Sequence, residues 1–599
     1  MSQKIINTDD LAFLLYEMLD IERFTQFPRY EDHSRDTFDA AIELALKVAS
    51  ETFAPHNRLC DEDEPRFENG KVVIRPEVSE ALAVLRDTGL MAASQDYERG
   101  GMQLPAAVSQ TCIGLIKGAN VSTQAYAGLT IAACNLIMAH GTDEQKQRYA
   151  EPMMAGRFFG TMCLTEPHAG SSLGDIKSRA IPQDDGTYRI SGNKIFISAG
   201  DHELSENIVH LVLAKLPDAP PGAKGISLFI VPKFLVNDDG SLGERNDVQL
   251  AGLIHKMGYR GTTSTMLNFG EKGGAVGYLV GEPHNGLAGM FHMMNEARIG
   301  VGLGSVMLGY TGYLHALEYA RERTQGRGMA ERDPNTPMIP LVQHADIRRL
   351  LLAQKAFVEG GLSLCLFSST LVDEKKHSPD AAVREEAAGL LDLLTPIVKS
   401  WPSQFCLEAN SLAIQVHGGY GYTREYPVEQ FYRDNRLNPI HEGTHGIQGQ
   451  DLLGRKVTMA GGRFYQSLLT RIRATLDECA SVAELKANAE LLSAALSTVE
   501  EVTEALQAMK KREPDRALAN AYLYMECFGH LVVGWLWLRQ AQAALRGLQN
   551  GGERPASFYQ GKLNACDYFL RYELPKPMAL AEVLRSADRT TLDMPLDCF

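Results

Sequence analysis

The sequence lacks most of the signatures that assign a chain to a class at sight. Its ten cysteines include no CxxC pair, and their spacings suit neither a zinc site nor a dense disulfide framework. They are expected to be mostly small buried apolar residues in a reducing compartment, and no metal site is expected. No GxGxxG follows a strand-like run, which disfavours a Rossmann dinucleotide site. Positive charge is not in excess: the formal net charge is −15 and the pI is near 5.6. That argues against a general nucleic-acid binder, whose phosphate affinity needs clustered Lys and Arg. The N-terminus carries Asp9, Asp10, Glu17 and Asp20 where a signal peptide would be basic. No uninterrupted apolar run reaches about 18 residues, so no membrane span is expected. The C-terminal Asp597-Cys598-Phe599 is not a peroxisomal address, and cytoplasm is the default location. Internal repeats and low-complexity tracts are missing too.

What is present is an ordinary globular balance over 599 residues, 45% hydrophobic and 22% charged, enough for several domains and a large core. From 35 to 160 the texture is helical. Phe38, Ala41, Ile42, Leu44, Ala45 and Val48 form one stripe, a second helix ends at Gly89, and the apolar stretch from Ala106 to His140 predicts buried helices. From 161 to 285 the pattern turns to strands: TYRISGNKIFIS reads as a hairpin about Ser191-Gly192-Asn193, followed by strands at 207–216, 225–233 and 263–270. Helix returns from 286 to 455, with an insert rich in Pro, Gly and charge from Gln325 to Pro340. The block 456–599 is helical throughout and carries 17 acidic and 17 basic residues, so it offers no basic field. The expectation is an α+β multidomain chain: an N-terminal extension (1–34), an N-terminal helical domain, a middle β domain, a second helical domain and an appended helical domain.

Two segments carry chemistry. In the first, Glu442 stands in a short His-Glu-Gly-Thr break between two helical patterns, flanked by Gly443. A carboxylate on such a turn points into a pocket more readily than one on a helix, which suits a general base for C–H abstraction. The plain alternative is an exposed loop Glu. In the second, TMCLTEPHAGSSLGDIKSRA (Thr161 to Ala180) combines hydroxyls at Thr165, Ser171 and Ser172 with Ala169-Gly170. It offers backbone N–H groups and hydroxyls to a polar ligand; a well-capped turn before a β domain would look similar.

CLTEPHAGSSLGD resembles the CxTEPxAGSD signature of the acyl-CoA dehydrogenases. GNKIFISAG (192–200), HKMGYRGTTSTMLNFG (255–270), ARER (320–323), QVHGGYGYTREYPVE (415–429) and HEGTHGIQ (441–448) resemble further segments of that family, in its order. The block after 456 and the ERTQGR run are similar to its longer branch of about 600 residues, with fatty-acyl-CoA and methylmercaptopropionyl-CoA dehydrogenases. The resemblance implies a helical domain, a β domain and a four-helix bundle, with FAD as cofactor and an acyl-CoA as substrate. It further implies an electron-transfer flavoprotein as acceptor and, for this branch, a homodimer.

By the same resemblance Leu164 and Thr165 bond the flavin ring, Gly170 and Ser171 cover the flavin and the CoA arm, Phe196 lies against the isoalloxazine, and Ser198 bonds the flavin. Arg323, Gln415, Gly418 and Gly419 reach the FAD of a neighbouring subunit, and Thr444 lies beside the pyrophosphate. Glu442 is the catalytic base, with Ser171, Arg298, His441 and Gly443 on the substrate. His441 replaces a commoner Tyr and Gly446 a commoner Gln, which puts the pocket wall and one cofactor contact in doubt. The implied reaction gives a trans-2-enoyl-CoA in fatty-acid β-oxidation. Alternatives are a 3-(methylthio)propanoyl-CoA dehydrogenase, an acyl-CoA oxidase or, in another class, a DNA-associated flavoprotein.

Overall fold

The computed structural model describes residues 4–599, with the side chains of 291–296 outside the description. The chain forms two compact units, one of residues 35–297 and one of residues 4–34 together with 298–599.

The first unit begins with helices α1 (Arg35–Val48), α2 (Pro76–Asp87), α3 (Ala106–Ala119) and α4 (Val121–His140), with a small ribbon of β1 (Arg66–Glu68) and β2 (Lys71–Val73) between α1 and α2. Along α1 the buried face is Phe38, Ala45 and Val48. Leu44 is instead exposed, because it falls about 100° from Ala45 around the helix. Asn120 splits the apolar stretch into α3 and α4: its backbone is extended, and its side-chain oxygen accepts from the Thr123 N–H at 3.0 Å as an N-cap.

The sheet of this unit has eight strands: β3 (Phe158–Cys163), β4 (Arg179–Pro182), β5 (Tyr188–Ser198), β6 (Asn207–Lys215), β7 (Ile226–Pro232), β10 (Val248–Leu253), β11 (Ser264–Phe269) and β12 (Ala275–Val280). A two-stranded ribbon of β8 (Phe234–Val236) and β9 (Leu242–Arg245) lies apart from it. The order is β10-β11-β5-β12-β7-β6-β3, with β4 beside β5 and β6. β6 and β7 are apolar at nearly every position because both of their faces are covered.

The hairpin expected at Ser191-Gly192-Asn193 is not there. β5 runs through it unbroken, and the turn is at Asp184-Asp185-Gly186, where Asp185 accepts from the Thr187 N–H at 2.9 Å and Gly186 takes φ +81°. Gly192 serves close packing, since a Cβ there would lie 2.3 Å from Ser178 Oγ.

The second unit takes α5 (Gly286–Glu322) from Arg298 onward, then α6 (Ala345–His377), α7 (Ala381–His417), α8 (Val428–Asn435) and α9 (His445–Gly454). Contrary to the expectation that no such stretch exists, α6 has an 18-residue window of mean hydropathy 1.5, long and apolar enough to cross a membrane. Of that window 89% is buried inside the unit, as befits a bundle's core helix. The appended block supplies α10 (Arg463–Ala480), α11 (Ala483–Lys510), α12 (Ala521–Asn550) and α13 (Ala556–Tyr568).

Residues 4–34 pack into this same unit through charge. Lys562 Nζ on α13 is fully buried and donates to Asp10, to Glu359 Oε2 at 2.8 Å and to Gln540 Oε1 at 3.0 Å. Tyr310 donates to Asp10 at 2.8 Å, and Lys355 pairs with Glu359. Two cations thus meet two carboxylates in the core.

Candidate active site

In the first unit the candidate residues are held by a buried ion pair. Glu166, next to Thr165, accepts from Lys194 Nζ at 2.9 Å, from the Ser178 N–H at 3.0 Å and hydroxyl at 2.6 Å, and from the Lys177 N–H at 2.7 Å. Burial works the other way, yet Lys194 and these donors hold the carboxyl below its usual range. Lys194 also donates to the Leu164 carbonyl at 3.0 Å, and the Ile195 N–H to the Thr165 carbonyl at 3.0 Å. The loop of Leu164, Thr165, Gly170 and Ser171 is therefore tied to β5, with Gly170 and Ser171 exposed.

β5 and β11 slip register between Thr265 and Leu267, so Ile195 and Phe196 together oppose Met266 in a bulge. Phe196 sits there at φ +60° with 62% of its surface exposed. A phenyl ring held outward on strained backbone is a ready stacking face. Ser198, half-buried, pairs with Ser264 at the end of the same strand.

In the second unit the residues gather in two groups. The first surrounds Glu442, whose backbone is left-handed at φ +54°, followed by Gly443 at φ +90°. The turn is pinned at three points: His441 Nε2 lies 3.0 Å from Asn438 Oδ1, Gln448 Nε2 donates to the Glu442 carbonyl at 3.0 Å, and Lys399 Nζ donates to the Gly443 carbonyl at 2.7 Å. Thr444 is the N-cap of α9, its hydroxyl exposed and making no capping bond. Burial raises the pKa of the Glu442 carboxyl, against the pull of Arg298 and Lys399. Arg298 is buried, 3.9 Å from Asp451, and its Nε has no hydrogen-bond partner. The arrangement is a carboxylate of raised proton affinity on a fixed turn, with two cations nearby.

The second group lies at the C-terminal ends of α5 and α7. Arg323 has its guanidinium carbon 5.9 Å from the Tyr420 ring centre, Gln415, Gly418 and Gly419 are exposed, and an added Cβ on either glycine would meet nothing within 4 Å. Tyr319 stacks on His417 at 4.4 Å beside them.

Sequence models of the acyl-CoA dehydrogenase N-terminal, middle and C-terminal domains match residues 36–157, 161–271 and 284–456, and the acetyl-CoA dehydrogenase C-terminal-like model matches 468–595. The chain belongs to the acyl-CoA dehydrogenase family. It is 39% identical to the 3-methylmercaptopropionyl-CoA dehydrogenase of Ruegeria pomeroyi, over 93% of this chain and 95% of that protein. It is 34% identical to the broad-specificity linear acyl-CoA dehydrogenase FadE5 of Mycobacterium tuberculosis, over 99% of both. In fold it is similar to an acyl-CoA dehydrogenase of Bacillus anthracis solved with FAD, at TM-score 0.74 and 19% identity, over 96% and 94% of the two chains. The expected fold, with its appended helical domain, is that of this family, and the family's cofactor is FAD.

Each unit taken by itself has features suited to that cofactor: the first an exposed ring at Phe196, the second unhindered glycines beside Arg323 and a helix N-terminus at Thr444 suited to an anion. His441-Glu442-Gly443-Thr444-His445 also spells the HExxH order of zinc hydrolases, which the expectation of no metal site passed over. That motif needs both histidines on one helical face, whereas here α9 begins only at His445. His445 instead stacks on Tyr522 at 5.5 Å.

Sequence reasoning missed Glu166, Lys194, Gln448 and Lys399. Two of them carried a signal: Lys194 falls on the buried phase of β5, and Lys399 is a lone charge in the run Leu393–Phe405.

Proposed function

We propose that this chain oxidises an acyl-CoA thioester to the trans-2-enoyl-CoA, with Glu442 as the base that takes the α proton. The observation that carries the reading is the Glu442 turn, a left-handed, pinned carboxylate whose proton affinity burial raises. An unactivated α C–H is too weak an acid for an ordinary carboxylate in water. The Glu442 backbone N–H donates to the thioester carbonyl and stabilises enolate-like charge there. The acyl chain expels water, which strengthens the base further. Arg298 supplies positive charge beside the thioester. The proton passes from the α carbon to Glu442, the β hydrogen leaves with its electron pair, and the carbon–carbon double bond forms. FAD, when bound, accepts that hydride. An electron-transfer flavoprotein then removes the electrons.

In the first unit, Thr165, Leu164 and Ser198 would hold the flavin ring by hydrogen bonds, Phe196 would give it a stacking face, and Gly170 and Ser171 would cover it and the CoA arm. In the second, Thr444 at the α9 N-terminus binds pyrophosphate. Arg323, Gln415, Gly418 and Gly419 serve the FAD of a second copy. Helix rise supports that division: Arg298 and Arg323 are 25 residues apart along α5, roughly 37 Å, farther than one dinucleotide spans. That division is what a homodimer with shared FAD sites requires.

The test is anaerobic bleaching of the bound flavin by straight-chain acyl-CoAs from C4 to C18 and by 3-(methylthio)propanoyl-CoA. The similarity to the Ruegeria pomeroyi enzyme supports including the thioether substrate. Wild type is bleached and Glu442→Gln binds FAD but is not. Full bleaching of the variant removes Glu442 from the role of base.

A further inference from the structure

Lys399 lies on α7 between two helix-interior prolines, Pro396 and Pro402. It is fully buried, and its ammonium reaches the Gly443 carbonyl at 2.7 Å. A buried ammonium is expensive, and a brace between a helix and a turn needs only a neutral donor. A lysine there brings to the turn a charge that the brace alone does not need. The groups facing it are the Glu442 carboxyl, the Arg298 guanidinium and His445 at the start of α9, with Arg436 acting on His445 in turn. Glu442 is the one carboxylate that acts on Lys399, and it shares that charge with Arg298, which also lies 3.9 Å from Asp451. By bonding the carbonyl of the next residue, the ammonium brings positive charge to Glu442 without occupying the lone pair that must take the proton.

We propose that Lys399 is a positioning residue for the base: it anchors the Glu442–Gly443 turn through the Gly443 carbonyl and, together with Arg298, supplies positive charge that favours the ionised Glu442 carboxylate before substrate reacts. This rests on the reading of Glu442 as base. Burial pulls the Lys399 pKa down to about 7, with Glu442 opposing and Arg298 adding to the fall, so its charge is sensitive to pH near neutrality. His445, pushed down to about 4 by burial and by Lys399, stays neutral there.

The experiment compares Lys399→Met, Lys399→Gln and Lys399→Arg by FAD content and by the rate of anaerobic bleaching between pH 5.5 and 9, with the acyl-CoA that wild type uses best. In wild type the rate rises with pH as Glu442 loses its proton. Lys399→Gln keeps a donor at Gly443 but no charge, and moves that rise to higher pH by about one unit. Lys399→Arg keeps the rise where wild type has it. Lys399→Met loses both contributions and falls roughly a hundredfold at pH 7 in rate, with little change in the acyl-CoA concentration for half saturation. If Lys399→Met fails to fold, Lys399→Gln against Lys399→Arg carries the same comparison. A Lys399→Gln profile that coincides with wild type overturns the proposal, provided wild type is bleached and Glu442→Gln is not. Bleaching of Glu442→Gln overturns the base reading instead, and the two failures are thereby distinct.

Discussion

Replacing Lys562 by Met tests what holds residues 4–34 in place. In the wild-type core Lys562 and Lys355 balance Asp10 and Glu359, all but Lys355 fully buried. Without the ammonium, Lys355 still answers Glu359, but Asp10 keeps only the Tyr310 hydroxyl at 2.8 Å. Breaking a buried pair from one side costs about 3–5 kcal/mol. Asp10 lessens that cost by taking a proton, because burial, reinforced by Glu359, already raises its pKa. The lower figure, about 3 kcal/mol, is therefore expected, which is roughly a hundredfold in the local opening equilibrium.

Deuterium exchange of peptides covering residues 8–30 measures it, through amides such as Leu11, which donates to the Asn7 carbonyl at 3.1 Å, and Leu19, which donates to Leu14 at 3.0 Å. Asp10 in the variant has a folded pKa above its unfolded one. Its contribution is thus intact at low pH and lost as pH rises through the folded value, so protection falls with rising pH. The double variant Asp10→Asn/Lys562→Met carries neither charge and recovers to within about tenfold of wild type. Exchange in Lys562→Met within about threefold of wild type refutes the claim that this charge network anchors the segment.

Two further outcomes are expected besides those for Glu442 and Lys399. Arg323→Ala weakens FAD retention by at least about tenfold, read from the flavin left after gel filtration; full retention removes Arg323 from the cofactor. Gly443→Ala combines a left-handed backbone, costing about 1–2 kcal/mol for a residue with a side chain, with a Cβ only 2.5 Å from Gln448 Nε2. Stopped-flow bleaching slows at least about tenfold while FAD stays bound, and an unaltered rate counts against a need for the pinned turn.

The order of helical and strand domains was legible because long periodic stretches such as α4 and β6 report their own neighbourhoods. The Glu442 and Thr165 segments were legible because a break with glycine interrupts a helical pattern and because hydroxyls cluster on one loop. The hairpin reading at Gly192 failed for a physical reason: glycine marks both turns and close approaches, and Ser178, which crowds it, lies in a different segment. Lys194 and Lys399 stood in apolar surroundings, but their partners, Glu166 and the Gly443 carbonyl, are brought to them only by the fold. The acids of the first twenty residues looked like an ordinary wet surface, since nothing local reveals that Asp10 meets a lysine 552 positions later.

That separation has a consequence in time. Asp10 leaves the ribosome 552 residues ahead of its counter-ion. At about 5–20 residues per second Asp10 waits roughly half a minute or longer for that ammonium. For that interval Phe13, wholly sheltered in the finished molecule, lacks the edge-on rings of Phe558 and Tyr559. A chain that lacks α13 leaves Asp10 without the Lys562 ammonium and Phe13 without two of its ring partners, so loss of that one helix is felt at the opposite end of the sequence.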